Sequence, residues 1–311
     1  MKSSPDAMPW QRVLITRVRG GAMAKADEIR ASQRAVWAGL SAGWEKWDAI
    51  IMSQLAPVTA AMIECLAIGE TARHLDVAAG TGEPGLTIAE LASRGHVMLI
   101  DLSPEMLDIA ARRAAARGIA NVETRVGSAD DLPFDDATFD SVSVRFGYMF
   151  LPDLAAATAE FVRVLRPGGR LCAAVWVKPE ANPWTSVVMD AIAGATDLPP
   201  SDPNGPGMFR CAAPHAIASL YEAAGLTHVT ERDVAVELVT RSASEYWDMI
   251  SEHVSLAAAA LRHVDERVRS RIAETVIADV SVYERPDGTV SVPGLARVIA
   301  ATKPMATTRS G

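Results

Sequence analysis

Residues 74–85 combine residue types and spacing that predict ligand chemistry. They read HLDVAAGTGEPG, an apolar run followed by a GxGxxG turn and a helix-like segment. Glycines at 80 and 82 permit a tight turn and close approach of a ligand, and the start of the following helix favours a polar or anionic group. This motif alone leaves the ligand open, because nicotinamide-dependent dehydrogenases use the same spacing and an incidental strand-to-helix turn can also have it.

Two aspartates extend the pattern. Asp101 ends the next predicted strand, 21 residues after Gly80, where a carboxylate can accept hydrogen bonds from both hydroxyls of an adenosine ribose. Asp76 lies near the end of the first predicted strand. There it would stand beside the pyrophosphate of a dinucleotide, but it suits a positively charged ligand well. The pair therefore favours a nucleoside ligand that carries positive charge.

The elements that must position these residues alternate between strand and helix. Short β-like runs and helical stretches follow each other from 73 to 177, which predicts parallel strands joined by crossover helices. Helices are predicted near Pro84, Pro104 and Leu154, and proline suits a first helical turn. The seven predicted strands are 74–78, 96–101, 122–126, 139–144, 170–177, 227–239 and 289–302. The fold class is therefore expected to be α/β, with a doubly wound, mostly parallel sheet.

Helical segments surround this predicted sheet. Residues 29–67 are expected to be mainly helical, and 178–212 form an irregular insertion that is rich in Pro, Gly, Asn and Asp. Further helices are predicted at 214–224, 243–263 and 265–280. We expect one domain over 29–311, with its core at 68–177 and a substrate lid from the insertions 178–212 and 242–286. Residues 1–28 are expected to be a flexible N-terminal extension.

Composition narrows the class of partner and compartment. The 311 residues are 49% hydrophobic and 22% charged, with a net charge of -8, which disfavours nucleic acid because its binding requires clustered Lys and Arg. No run reaches about 18 apolar residues, so no membrane span is expected. Cys65, Cys172 and Cys211 form no CxxC pair, which indicates neither a disulfide framework nor a zinc site and favours the cytoplasm. The oligomeric state cannot be inferred from these features.

Four strings in order carry a family resemblance: LDVAAGTGEPG, IDLSPEMLDIA, GSADDLPFDDATFDSV and LRPGGRL. They resemble the class I S-adenosylmethionine-dependent methyltransferases, especially the branch of ubiquinone and menaquinone biosynthesis C-methyltransferases. The resemblance is strong over residues 30–177. It implies a Rossmann-like fold, S-adenosyl-L-methionine as cofactor, and methyl transfer to a small molecule.

The resemblance also implies which residues hold the cofactor. Asp101 would bind the ribose, and backbone groups of Arg145 and its neighbour Phe146 would hold the amino group. The branch commonly has Asp where this chain has Ser128, whose neutral hydroxyl should bind the adenine amino group less strongly than a carboxylate. The remaining cofactor residues that it implies are Ala78, Gly80, Thr81 and Gly82 for the methionine part, and Leu102, Met106 and Ala129 for the adenine.

The acceptor side is less determined by sequence. Methyl transfer relies mainly on proximity and orientation, so a general base is optional. If one is needed, His253 and Tyr148 are the candidates, although each is also explained by packing or by a place in the pocket wall. The residues expected to contact the substrate are Trp37, Trp44, Phe146 and Trp184, and packing in the core is the alternative for the tryptophans.

Other readings stay open at this point. No metal site is expected, because the histidines do not cluster at ligand spacing and the aspartates between 130 and 136 read as a solvated loop. A dehydrogenase would share the glycine turn and the acid at 101. A non-catalytic binding or regulatory protein could keep the same fold. Whether C, O or N would be methylated cannot be assigned, because one fold serves all three chemistries.

Overall fold

A seven-stranded sheet forms the centre of the molecule. The computed structural model describes residues 22–196, 205–253, 255–261 and 264–305. The strands are β1 (Arg73–Val77), β2 (His96–Asp101), β3 (Val122–Val126), β4 (Phe139–Arg145), β5 (Leu165–Trp176), β6 (Thr227–Thr240) and β7 (Val290–Thr302). Their order is β3-β2-β1-β4-β5-β7-β6. The first five strands pair in parallel, and β7 runs antiparallel to both β5 and β6.

Apolar side chains bury the central strands. Leu75 and Val77 of β1 and Val97 and Leu99 of β2 are almost completely inaccessible to solvent. Parallel strands are usually covered on both faces and therefore read as continuous apolar runs. The mostly parallel, seven-stranded Rossmann-like sheet predicted from sequence is confirmed.

Helices flank this sheet and connect its strands. Several begin with a side-chain cap: the hydroxyl oxygen of Ser103 accepts from the amide of Met106, and a carboxylate oxygen of Asp153 accepts from two amides of the next helix. The helices are α1 (Ala22–Lys46), α2 (Asp48–Leu66), α3 (Gly85–Leu91), α4 (Pro104–Ala116), α5 (Leu154–Val164), α6 (Pro183–Ala195), α7 (Ala216–Ala223), α8 (Ala243–His253), α9 (Ser255–Leu261) and α10 (Glu266–Val280).

Three boundaries differ from the prediction. β5 begins at Leu165, so the Arg-Pro-Gly-Gly sequence that resembles a turn lies within the strand. The single helix predicted over 243–263 is two helices, α8 and α9, and residues 254, 262 and 263 lie outside the described residues. Helix α1 begins at Ala22, so 22–28 are helical, in agreement with their Ala, Met, Lys and Glu content. The rest of the expected extension, 1–21, also lies outside the described residues.

Helix α2 is long and apolar enough to cross a membrane by length and composition, and it is the one helix among the described ranges with that property. Core helices pass the same test. Its side chains Ile51, Leu55, Val58 and Met62 are buried in the hydrophobic core, and the helix contacts β5, β6 and β7. The apolar composition of α2 is therefore accounted for in part by its packing against the sheet.

Candidate functional site

A deep cleft opens where the parallel strands end. Crevices at the carboxyl ends of such strands are the usual ligand sites of open α/β sheets. Segments that follow β1 to β5 line it, and α1, α2, α8 and the insertion after β5 supply the remaining wall. The cleft therefore brings residues from distant parts of the chain together at one edge of the sheet.

The glycine turn after β1 forms part of the wall of this cleft. Ala78, Gly80 and Thr81 line it, and Ala78 and Gly80 both have a φ of 53°. Gly82, expected among the cofactor residues, does not line the cleft. Its φ is 108°, and a Cβ there would lie 2.8 Å from Leu86, so this glycine lets the turn pack tightly against α3.

Asp101 joins the turn after β1 to the turn after β2. Its Oδ2 accepts from the amide of Gly80 at 2.9 Å, and its Oδ1 accepts from the amide of Ser103 at 2.9 Å. Burial raises the pKa of Asp101, and these backbone donors act in the opposite direction. Each carboxylate oxygen has a further lone pair, and the residue lines the cleft. Asp101 can therefore accept two more hydrogen bonds from a ligand.

Asp76 lies beneath the turn and does not line the cleft. Its Oδ2 accepts from the amide of Gly85 at 3.0 Å, and its Oδ1 accepts from the Ser143 hydroxyl at 2.5 Å. Burial raises the pKa of Asp76 to about 7. The expectation that Asp76 would meet a cationic ligand directly is therefore wrong. Because Asp76 binds the first residue of α3, it holds the glycine turn against the sheet.

The segment after β3 forms the adenine side predicted from sequence. Ser128 and Ala129 line the cleft beside Leu102 and Met106. The Ser128 hydroxyl donates to Asp130. Its oxygen therefore retains lone pairs that can accept a hydrogen bond. The neutral residue found where the family has Asp is thus hydrogen-bonded to a carboxylate.

Asp130 is held in turn by Arg30 of α1, which donates to it from Nε and Nη2. Partial burial by itself would raise the pKa of Asp130. The hydrogen bonds from Arg30 and Ser128 outweigh that effect and hold the pKa below its ordinary value. Arg30, Asp130 and Ser128 therefore form a chain of hydrogen bonds from α1 to the adenine side, and Asp130 is its ionised centre.

Aromatic side chains form another part of the cleft wall. Phe146 stacks on Trp176 at 4.2 Å, with 14° between the ring planes, and Trp184 lies 4.9 Å from Trp176. Trp37 contacts Trp44 and Phe150 edge to face. The four residues expected to contact the substrate, Trp37, Trp44, Phe146 and Trp184, all line the cleft.

The two candidate bases lie in different surroundings. His253 lines the cleft beside Trp44 and Trp184. Its Nδ1 donates to the carbonyl oxygen of Met249 at 2.8 Å, and burial lowers its pKa to about 4. At neutral pH the imidazole is therefore uncharged, with the proton on Nδ1 and an unprotonated Nε2.

Tyr148 is absent from the cleft wall, and the expectation that it is a base is wrong. It is fully buried, its hydroxyl is hydrogen-bonded to Thr158 at 3.1 Å, and its ring contacts Phe161. Burial raises the pKa of Tyr148. The short 3-10 turn Tyr148–Phe150 directs this side chain toward α5.

Several residues of the cleft were not predicted, and only some of them could have been found from a pattern in the sequence. Trp176 ends β5 and could have been found from the rule for strand ends. Gln54 is a polar residue at a buried position of an apolar helix, which is also a signal. Arg30 depends on how α1 packs, which the sequence does not reveal. The other unpredicted lining residues include Gln33, Glu83, Phe150 and Met208.

The predicted absence of a metal is not tested by the structure. Within the described ranges, no three His, Cys, Asp or Glu side chains lie together so that they could hold a metal ion.

Curated relatives match part of the chain. The ubiquinone/menaquinone biosynthesis C-methyltransferase UbiE of Brucella anthropi is 44% identical over 101 residues, which are 32% of this chain and 38% of that protein. An uncharacterized protein of Mycobacterium tuberculosis is 36% identical over 156 residues, 49% of this chain and 53% of that protein. The chain thus spans about half or less of the length of these relatives.

Solved structures and a family model extend the comparison. The YcgJ protein of Bacillus subtilis has a TM-score of 0.52 at 20% identity, covering 79% of this chain and 97% of that one. The cyclase SpnF has a TM-score of 0.50 at 23% identity and covers 80% of each chain. At such identities the likeness shows the fold alone. The model of the ubiE/COQ5 methyltransferase family matches residues 33–190, just over half of the sequence. The chain therefore belongs to the ubiE/COQ5 methyltransferase family, within the class I S-adenosylmethionine-dependent methyltransferases.

Proposed function

We propose that the protein transfers a methyl group from S-adenosyl-L-methionine to a small-molecule acceptor. One observation carries this proposal: a single cleft is lined both by the glycine turn, Asp101 and Ser128 and by the aromatic side chains Phe146 and Trp184. A nucleoside cofactor and an apolar acceptor would therefore lie in one continuous space. Family membership supports the same reaction.

The glycine turn, Asp101 and the segment around Ser128 suit this cofactor. Asp101 has acceptor capacity for the two ribose hydroxyls, and the turn from Ala78 to Thr81 would pass beside the methionine part. Leu102 and Met106 offer apolar contacts for the adenine, and Ser128 offers an acceptor for its amino group.

The chemistry then requires mainly alignment. When bound, the cofactor supplies a methyl group that is already activated by the sulfonium sulfur. We propose that the aromatic side chains hold the acceptor in line with that methyl and exclude water. Orientation of this kind contributes roughly 7 to 11 kcal/mol in well-aligned reactions. If the acceptor must lose a proton, the unprotonated Nε2 of His253 is the proposed base.

The acceptor is proposed to be quinone-like or natural-product-like. The printed name of the Brucella relative refers to ubiquinone and menaquinone biosynthesis, and stacked rings such as Phe146 and Trp176 suit a planar apolar body. The segments 178–212 and 242–286, which contribute Trp184, Met208 and His253 to the cleft, are proposed to act as its lid. A cytoplasmic location stays a prediction from the cysteine pattern.

Calorimetric titration tests the cofactor first. Purified protein is titrated in parallel with S-adenosylmethionine, S-adenosylhomocysteine and NAD. We expect the two adenosyl ligands to bind and NAD not to bind. Asp101→Asn should weaken adenosyl binding by about tenfold or more, because hydrogen bonds to a charged group contribute roughly 1.5 to 3 kcal/mol each. Asp108→Asn, an exposed position on α4, is the matched control and should bind normally.

A screen of quinols, phenols and related planar acceptors then tests turnover. Product is followed by the mass increase of one methyl group and by release of S-adenosylhomocysteine. Binding of NAD alone would overturn the proposed cofactor. Adenosyl binding that is lost in Asp101→Asn, together with no methylation across a broad screen, would instead favour a non-catalytic binding protein.

A further inference from the structure

Arg145 is a partly buried cation that pairs with no carboxylate in the part of the chain that the structure describes. It ends β4 and lines the cleft. Nη1 donates to the hydroxyl of Thr59 at 3.1 Å, and Nη2 lies 3.6 Å from the sulfur of Met52. Among the described residues no carboxylate lies within 4 Å of this guanidinium, whereas 11 other arginines form such pairs. Burial lowers the pKa of Arg145, as expected for a charge with weak compensation.

The acidic groups that act on Arg145 from further away are already engaged. Asp76 binds Gly85 and Ser143. Glu83 accepts from Arg117 and from both the amide and the hydroxyl of Thr87. Asp48 forms an ion pair with Arg113 at 3.2 Å, although its Oδ1 has no hydrogen-bond partner. Since none of these three carboxylates lies within 4 Å of Arg145, the remaining hydrogen-bonding capacity of this guanidinium is available to a ligand.

Gln54 provides an independent observation in the same cleft. It lies on α2 between Met52 and Thr59, lines the cleft and is only 4% exposed. Its Nε2 has no hydrogen-bond partner. A buried amide group without a partner costs free energy, and a ligand oxygen would remove that cost. A guanidinium without a carboxylate partner and an amide nitrogen without any partner thus line one cavity.

We propose that Arg145 and Gln54 form a subsite for a carboxylate or another oxyanion within this cleft. Guanidinium groups bind such oxygens with two parallel hydrogen bonds, and Gln54 would add a third donor. The anion has two possible sources, the carboxylate of the cofactor's methionine part or an acidic group of the acceptor. The first source rests on the proposed function, whereas the second can be tested without it.

The first experiment compares two ligands that differ in their amino-acid part. S-adenosylhomocysteine carries the amino-acid carboxylate, and 5′-methylthioadenosine lacks the whole amino-acid part. Both are titrated into the full chain and into Arg145→Met, Gln54→Met and the surface control Arg94→Met. If the cofactor supplies the anion, Arg145→Met should weaken S-adenosylhomocysteine about 10- to 100-fold and leave methylthioadenosine unchanged. Gln54→Met should act in the same direction, but less strongly.

The second experiment asks for an anion on the acceptor side. 1-Naphthoate and the neutral 1-naphthalenemethanol are titrated into the same proteins, with and without S-adenosylhomocysteine. If the acceptor supplies the anion, the full chain should prefer naphthoate, and Arg145→Met and Gln54→Met should reduce that preference about tenfold or more. Arg94→Met should retain it. Circular dichroism and thermal unfolding establish that each variant is folded.

The outcomes separate the subsite from the proposed function. A full chain that binds neither adenosyl ligand contradicts the proposed cofactor, and the naphthoate comparison still decides the subsite. If folded Arg145→Met and Gln54→Met change neither the preference for S-adenosylhomocysteine nor the preference for naphthoate, the subsite is overturned. If Arg145→Met does not fold, Gln54→Met alone decides by the same two comparisons.

Discussion

Arg30 donates a hydrogen bond to each carboxylate oxygen of Asp130, from Nε to Oδ1 at 3.1 Å and from Nη2 to Oδ2 at 2.7 Å. This contact joins α1, which lies outside the sheet, to the segment after β3. The Asp130 side chain is only 3% exposed, whereas that of Arg30 is 28% exposed. Asp130 also accepts from Ser128 at the edge of the cleft. The position of α1 therefore determines how Ser128 presents its oxygen.

Removing the arginine should weaken cofactor binding. In Arg30→Met, Asp130 loses its charged partner and Ser128 loses a fixed acceptor. Hydrogen bonds to charged groups contribute roughly 1.5 to 3 kcal/mol, and the exposure of Arg30 favours the lower end. We expect the dissociation constant for S-adenosylhomocysteine to rise about tenfold, as measured by calorimetry.

Arg34→Met, an exposed change on the same helix, is the control for this prediction. Asp130→Asn should weaken binding as well, and the double variant should be no worse than the more damaging single change because the two residues form one interaction. Equal affinities for Arg30→Met and Arg34→Met would contradict the role assigned to this contact.

Tyr148→Phe should leave cofactor binding and methyl transfer unchanged. The hydroxyl is buried against Thr158 and does not reach the cleft. Its loss removes one neutral hydrogen bond, which contributes about 1 kcal/mol to stability. Urea unfolding measures that cost, and calorimetry measures cofactor binding. A tenfold loss of turnover with intact stability would show that this tyrosine acts in the reaction.

His253 should make the protein sensitive to acid. Its pKa lies near 4 in the folded protein, against an ordinary value of 6.5. A lowered pKa means that the unfolded chain binds the proton first. The stability contribution is therefore fully present above pH 6.5 and is lost as the pH falls toward 4. This shift corresponds to about 3 kcal/mol by pH 4.

His253→Phe removes this titration, so the difference in unfolding free energy between the full chain and the variant should change as the pH falls from 7.5 to 4.5. As the pH falls, the full chain should lose stability relative to the His253→Phe variant. Met249→Leu, a buried change on the same helix that does not titrate, should give a difference that is constant with pH. Parallel behaviour of the two variants would contradict the assignment.

Two glycines should respond to alanine in opposite directions. At Gly85 a Cβ would lie 2.3 Å from Leu99 and 2.9 Å from Asp76 Oδ2, and overpacking of this kind costs roughly 1 to 3 kcal/mol. At Gly194, within α6, nothing lies within 4 Å, so Gly194→Ala should stabilise the helix by roughly 0.5 to 1 kcal/mol. Urea unfolding should show a lower free energy of unfolding for Gly85→Ala and a higher one for Gly194→Ala.

The parts that follow local rules were predicted from sequence. Strands β2 and β3 were predicted with the limits that the structure has. β2 is largely an apolar run, β3 has Val at both ends, and turn residues such as Gly95, Asn121 and Gly127 bound them. Residues at strand ends, such as Asp101 and Phe146, line the cleft because parallel strands end at the same edge of the sheet. This rule needs no knowledge of how distant segments pack.

The features that escaped prediction depend on packing between distant segments. Arg30 and Asp130 are 100 residues apart in the chain, so no spacing could relate them. Tyr148 comes only two residues after Phe146, yet the intervening turn directs it into the core. Gly82 belongs to a ligand motif, but its contact is with Leu86. For Tyr148 and Gly82, the direction of the residue and the residues it packs against, rather than its position along the chain, decide that it does not line the cleft.

The tryptophans that line the cleft also affect the fluorescence of the protein. Four of the seven tryptophans of the chain, Trp37, Trp44, Trp176 and Trp184, line this one cavity. Indole emission depends on polarity and on nearby quenching groups, so a ligand that displaces water here will change the intrinsic fluorescence. The protein thus carries a built-in reporter of occupancy, which makes rapid-mixing studies of ligand order feasible without any added label.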